Sequence, residues 1–106
     1  MIDIRWKLPW EAVGSDATSG LQREIEKEVG PKHPLWGRTP KVIGRRIDND
    51  DVLVHLSDGS LACVHLVWHG KIDTHPEKYP WTVIYSSVSE FLSEMQQDAI
   101  EYGEET

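Results

Sequence analysis

Residues 50–70, DDVLVHLSDGSLACVHLVWHG, decide how this chain folds. They read as two strands folded back on each other through Ser57-Asp58-Gly59-Ser60. Asp and Gly both tolerate the positive φ of a tight turn, and apolar runs flank them on either side. The pair carries a near-repeat, Val54-His55-Leu56 and Val64-His65-Leu66, so two histidines sit in the best-defined part of the fold. With Asp58-Gly59 as a two-residue loop, His55 faces Ala62 and Val52 faces His65, which puts the imidazoles on opposite faces of the sheet. A three-residue loop slips the register, sets His55 opposite Cys63 and brings it diagonal to His65 at roughly 7–8 Å. Asp-Gly chemistry favours the first register, in which both histidines are structural. Both faces of the hairpin come out largely apolar, so the sheet is expected to be covered on both sides, by helices or by a second subunit.

Outward from the hairpin, residues 41–47 read as a strand and Asp48-Asn49-Asp50 as the turn into residues 52–56, with 61–68 as the longest strand. Residues 1–10 alternate weakly and suit a short edge strand ending at Pro9. The small, polar stretch 14–20 reads as a loop. Ser19 with Gln22 then makes a capping box, opening a short helix with Leu21, Ile25 and Val29 on one face and Gly30-Pro31 as its stop. A connection over 71–80 leads to a short β-prone run, Trp81–Tyr85. Ser87 and Glu90 cap a longer helix, whose stripe is Val88, Phe91, Leu92, Met95, Ala99 and Tyr102 and whose stop is Gly103. The fold class is α+β: an antiparallel β-meander of three to five strands, with a short N-terminal helix and a longer C-terminal helix packed on the sheet. At 106 residues this is a single domain, with 103–106 as a flexible C-terminal tail.

The formal charge of −7 argues against a nucleic-acid partner, whose phosphates demand Lys and Arg, and against an anionic membrane surface. No apolar run approaches the ~20 residues of a membrane span, and one cysteine, Cys63, leaves no internal disulfide. These features together suit a cytoplasmic protein. Cofactor and metal signals are missing. Counting from Asp48, the positions that a calcium loop gives to Gly and Glu hold Leu53 and Gly59. His65 and His69 are four apart on a strand reading, about 13 Å. Cys63 lies between apolar neighbours rather than in an electropositive setting that would activate a thiol.

Two sets of residues remain as candidates. The acids are concentrated at the C-terminus, where Glu90, Glu94, Asp98 and Glu101 fall within about 80° on one helical face. Like charges at that spacing, and acids at a helix C-terminus, cost local stability. The arrangement is explained either by solvation or by a surface that receives a basic protein partner. The rival set is His33, Trp36, Asp50, Asp51 and His65, which would serve a small hydrolase or transferase if they converge around the hairpin. A homo-dimer through an apolar sheet face is the third reading. Five tryptophans exceed what so small a core needs and offer anchors for an interface.

Gly30-Pro31-Lys32-His33-Pro34-Leu35-Trp36-Gly37, Asp48-Asn49-Asp50-Asp51-Val52-Leu53 and Val64-His65-Leu66-Val67-Trp68 together resemble a group of small bacterial proteins. That group carries G-x-x-HPL-x-G, D-x-DDVL and A-x-VHL-x-W motifs. The resemblance covers about residues 21–100, departs at Lys71-Ile72-Asp73, where the group is expected to show a glutamate, and implies a shared fold without an activity. In composition the chain is also similar to the immunity proteins of toxin systems, which are small, acidic and α+β. The resulting expectation is a non-enzymatic binding domain, of the immunity type, that meets a basic partner through its acidic helix.

Overall fold

In the computed structural model, residues 4–49, 51–68 and 70–103 are described, the side chains of 15–17 excepted. Asp50 and the tail beyond Gly103 lie outside the described residues. The elements are β1 (Trp10–Ala12), α1 (Ser15–Glu28), β2 (Lys41–Arg46), β3 (Asp51–His55), β4 (Leu61–His65), β5 (Trp81–Tyr85) and α2 (Val88–Tyr102). The fold is α+β. Its strands form one antiparallel sheet in chain order, β1-β2-β3-β4-β5.

The hairpin register differs from the one its Asp-Gly pair favours. His55 lies opposite Leu61 and Asp51 opposite His65, so the loop is Ser57-Asp58-Gly59. Gly59 is left-handed at φ +92°, its N–H donates to the Leu56 carbonyl, and Leu56 N–H donates to Ser60 O. This is a three-residue loop that ends in a left-handed glycine, but it closes one residue earlier than the one that would set His55 opposite Cys63, so His55 and His65 are not diagonal neighbours. Two contacts select it. Ser57 N–H donates to the Arg38 carbonyl, which takes Ser57 out of the ladder. The Asp58 carboxylate accepts from Ser60 N–H at 3.0 Å and from the Arg38 guanidinium at 2.6 Å. A one-residue slip exchanges the faces: Val52, Val54, Leu56, Ala62 and Val64 go to one side, Leu53, Leu61, Cys63 and both histidines to the other. His55 and His65 therefore share a face, at opposite ends of the hairpin.

Each face is covered by a helix. Ile25 of α1 and Val29, which caps its C-terminus, pack with Leu35 on Val42, Val52, Val54, Leu56, Ala62, Val64 and Leu66. Phe91 and Met95 of α2 pack with Ile4 and Trp10 on Leu53 and Leu61. Burying each such side chain stabilises the fold by about 1.5–3 kcal/mol. Phe91 is ringed edge-on by Trp10 at 5.3 Å, Tyr85 at 5.7 Å and Trp6 at 6.4 Å between ring centres.

Boundaries moved where tertiary contacts outvote local signals. The stretch 14–20 is not a loop, because α1 starts at Ser15 behind a Gly14 N-cap. Ser19 and Gln22 make no cap: Gln22 instead donates to the Pro40 carbonyl at 2.8 Å and accepts from Val42 N–H at 2.9 Å, tying α1 to β2. Gly30 is not a left-handed stop; a Cβ there would meet the Ile72 side chain at 2.9 Å. The N-terminal strand lies after Pro9, and not within residues 4–9. β4 ends at His65, three residues short of the expected limit, because the Glu28 carboxylate accepts from Val67 N–H at 3.0 Å and Trp68 N–H at 2.7 Å. Those two donors are thereby satisfied without a ladder partner. The C-terminal helix follows the sequence closely. Ser87 Oγ accepts from Glu90 N–H, and left-handed Gly103 closes the helix.

Candidate functional site

Register assembles the site. On the α2 side, at the end of the sheet away from the Asp58-Gly59 turn, Asp51 pairs with His65 and His65 with Trp81. Trp10 pairs with Arg46 on the neighbouring strands. Trp10, Arg46, Asp51, His65 and Trp81 thus form a transverse row, one side chain from each strand. Cys63 and Val83 pair in the next row, and Glu94 and Asp98 come down from α2. These side chains line a half-open cleft of about 160 Å³.

Within it, His65 Nδ1–H donates to Asp51 Oδ1 at 2.6 Å and the Cys63 thiol to Asp51 Oδ2 at 3.7 Å. Burial holds the Cys63 thiol far above its usual range, and the Asp51 charge and hydrogen bond add to the effect. Cys63 is therefore no thiolate nucleophile at neutral pH. Burial likewise raises the Tyr85 phenol, with the Cys63 thiol and the Glu94 and Asp98 carboxylates contributing. Trp10 Nε1–H donates to Asp98 Oδ2 at 2.8 Å, and Arg46 sits 3.4 Å from Asp98 Oδ1 and 2.7 Å from Asp48. Burial opposes the Arg46 charge, but the Asp48 hydrogen bond and the Asp98, Asp48 and Asp51 charges outweigh it, and its pKa rises.

The acidic face of α2 is divided in use. Asp98 is only 7% exposed and fastens the helix to β1 and β2, so it is not part of an open partner surface. Glu90 accepts from Ser86 N–H and Ser86 Oγ; those two bonds depress its pKa and commit it to the helix start. Glu94 stands at the cleft and Glu101 is exposed.

His33 and His65 do not converge. His33 accepts from Leu35 N–H on Nδ1 at 3.0 Å, so Nε2 carries the proton and donates to Pro80 O at 2.8 Å. Burial lowers its pKa, with the Pro80 bond opposing. It lies beside Thr82, which pairs with Val64 on the α1 face, across the sheet from His65. Trp36 lies on that side too, exposed over a groove with Ile25, Val29 and Pro40. Among the described residues of the rival set, only Asp51 and His65 meet. Sequence reasoning missed Trp81, Arg46 and Tyr85 as their neighbours; the signal was available only through the register. Among the described residues no cluster of His, Cys, Asp or Glu is placed to hold a metal ion, and no helix is long and apolar enough to cross a membrane.

No family model, no curated protein and no solved structure matches this chain.

Proposed function

We propose that this chain is a non-enzymatic protein-binding domain that receives a basic partner beside α2; in a toxin system it would act as an immunity-type inhibitor. One observation carries the reading. Trp81, 59% exposed, stands at a cleft that holds three carboxylates, Asp51, Glu94 and Asp98, against one guanidinium, Arg46. An exposed aromatic next to excess negative charge suits a Lys or Arg side chain, which gains both a cation–π contact and ion pairing. The acidic C-terminal segment extends the same potential outward and would speed encounter with a cationic surface.

Binding of oligolysine, followed by tryptophan fluorescence, tests the reading. Affinity should fall steeply as salt rises. Glu94→Lys and Trp81→Ala should each weaken binding by roughly tenfold, about 1.4 kcal/mol. Glu26→Lys on α1, with the same change in net charge on the other side of the sheet, should have a much smaller effect. Equal losses for Glu94→Lys and Glu26→Lys would mean diffuse charge without a site, and the proposal would fail.

The hydrolase or transferase reading keeps one observation, the Asp51–His65 pair. A carboxylate on Nδ1 orients an imidazole and leaves Nε2 available as a base. It requires turnover of an ester or phosphoester probe that drops by about a hundredfold or more in His65→Gln.

A further inference from the structure

The sheet has two edges, and they differ. β1 is three residues long, follows Pro9, and carries an ion pair to its neighbour, Glu11 to Arg45. Short length, charge and proline are the usual devices that stop an edge from pairing with another chain. β5 also begins directly after a proline, Pro80, but it is five residues long and Trp81-Thr82-Val83-Ile84-Tyr85 itself contains no charge, no glycine and no proline. Trp81, Val83 and Ile84 are all exposed, at 59%, 44% and 40%. Trp81 and Val83 look toward the α2 side and Ile84 toward the α1 side, so apolar surface is open on both faces of the strand. Among the described residues only β4 adjoins it in the sheet, and no turn, loop or cap backbone bond reaches Trp81–Tyr85.

We propose that β5 is a docking edge that takes an extended segment of a basic partner as a sixth strand. The proposal rests on the reading of this chain as a binder of basic protein and supplies its geometry. Side chains of an added strand alternate between the two faces. Those on the α2 side come up alongside Trp81, Val83 and Glu94, where a Lys or Arg is favoured by the excess of carboxylates. Those on the α1 side come up alongside Ile84, where an apolar residue covers exposed surface. The segment recognised is therefore one in which basic and apolar residues alternate. A second copy of this chain is the poorer occupant. It would bring another net charge of −7 and a second β5 without a single cation, and would set Glu94 of each copy toward the same interface.

The test uses the full chain and a short labelled peptide of alternating lysine and valine, read by fluorescence anisotropy. Two analogues carry backbone N-methyl groups, one on the lysines and the other on the valines. These alternate positions present their N–H groups to opposite edges of the peptide strand, so each analogue blocks one edge and leaves charge and side chains unchanged. Strand addition predicts that one analogue loses binding by about tenfold or more while the other retains it. A peptide of the same composition with its lysines in one block should also bind about tenfold more weakly. If the parent peptide binds and both N-methyl analogues bind as well as it does, the edge is not used, although the basic-partner reading survives. If the parent does not bind at all, both fail. Sedimentation of the chain alone should show a monomer; a dimer abolished by Ile84→Lys would overturn the proposal and assign the edge to a second copy.

Discussion

Asp98 shows how much a single residue's role depends on its surroundings. Its place in an acidic helix series marked it as a solvent-facing partner contact, yet it is buried and serves two donors from the sheet, the Trp10 indole and the Arg46 guanidinium. A buried carboxylate with both partners in place is tolerated, whereas removing it leaves an unpaired donor and a weakened cation. Asp98→Ala should therefore destabilise the fold by about 1–3 kcal/mol. Asp98→Asn, which keeps an acceptor for the indole, should cost less. Denaturant titration monitored by tryptophan emission checks both, and an Asp98→Ala variant as stable as the parent would contradict this role. Glu94, one turn earlier, is exposed and stands at the cleft instead.

At the scale of elements, close approach between backbone and ring governs the N-terminal half. A bulge at Ile43 shifts the β2–β3 register between Val42 and Gly44. Gly44 then lies under Trp6, and a Cβ there would run into the indole while meeting the Glu11 carbonyl at 3.2 Å on the other side. Neither neighbour is the end of a flexible chain, so relief requires moving a ring that packs against Phe91. Gly44→Ala should lower stability by about 1–3 kcal/mol, the usual range for overpacking. Gly30→Ala meets only the side chain of Ile72 and should cost clearly less. Comparing the two by thermal or chemical unfolding separates close approach from a general intolerance of added methyl groups.

For the molecule as a whole, the two helices are held to the sheet by different chemistry. α2 is fastened by an aromatic cluster and the Arg46–Asp98 ion pair, whereas α1 presents two buried carboxyls, Glu24 and Glu28, to the backbone after β4. Glu28 accepts from Val67 and Trp68, and Glu24 accepts from Gly70 N–H at 2.9 Å. Burial raises Glu28 to about 7 from the ordinary 4.5; the Glu24 hydrogen bond and charge reinforce this, and the two backbone bonds oppose it. The folded chain thus binds this proton more tightly than the unfolded chain does. The resulting stability is fully present below the unfolded value of 4.5 and is lost as pH rises through about 7. Global stability should fall across that window, by at most about 1.4 kcal/mol per pH unit from this group. Glu28→Gln should flatten the slope, and unchanged pH dependence in that variant would show that the titration belongs elsewhere.

Local chemistry was enough to identify most of the elements. Trp81–Tyr85 follows from its β-branched and aromatic run, and α2 from its Ser87 cap, its 3.6-residue stripe and left-handed Gly103, because each of these signals acts within a few residues. The antiparallel α+β architecture and the sheet covered on both faces follow from the same short-range patterns. What only the tertiary structure decided were the relations between distant residues. The Arg38 carbonyl takes Ser57 from the ladder and thereby sets the hairpin register, which moves His65 beside Asp51 and onto the face opposite His33. Glu28 ends β4 from a helix far away in the chain. Trp10 and Arg46 draw Asp98 out of solvent, and the cleft is assembled from all five strands and α2. Periodicity assigns each side chain to a side of its own element, but a site is made by pairing between elements, and a one-residue choice of turn reverses every face downstream.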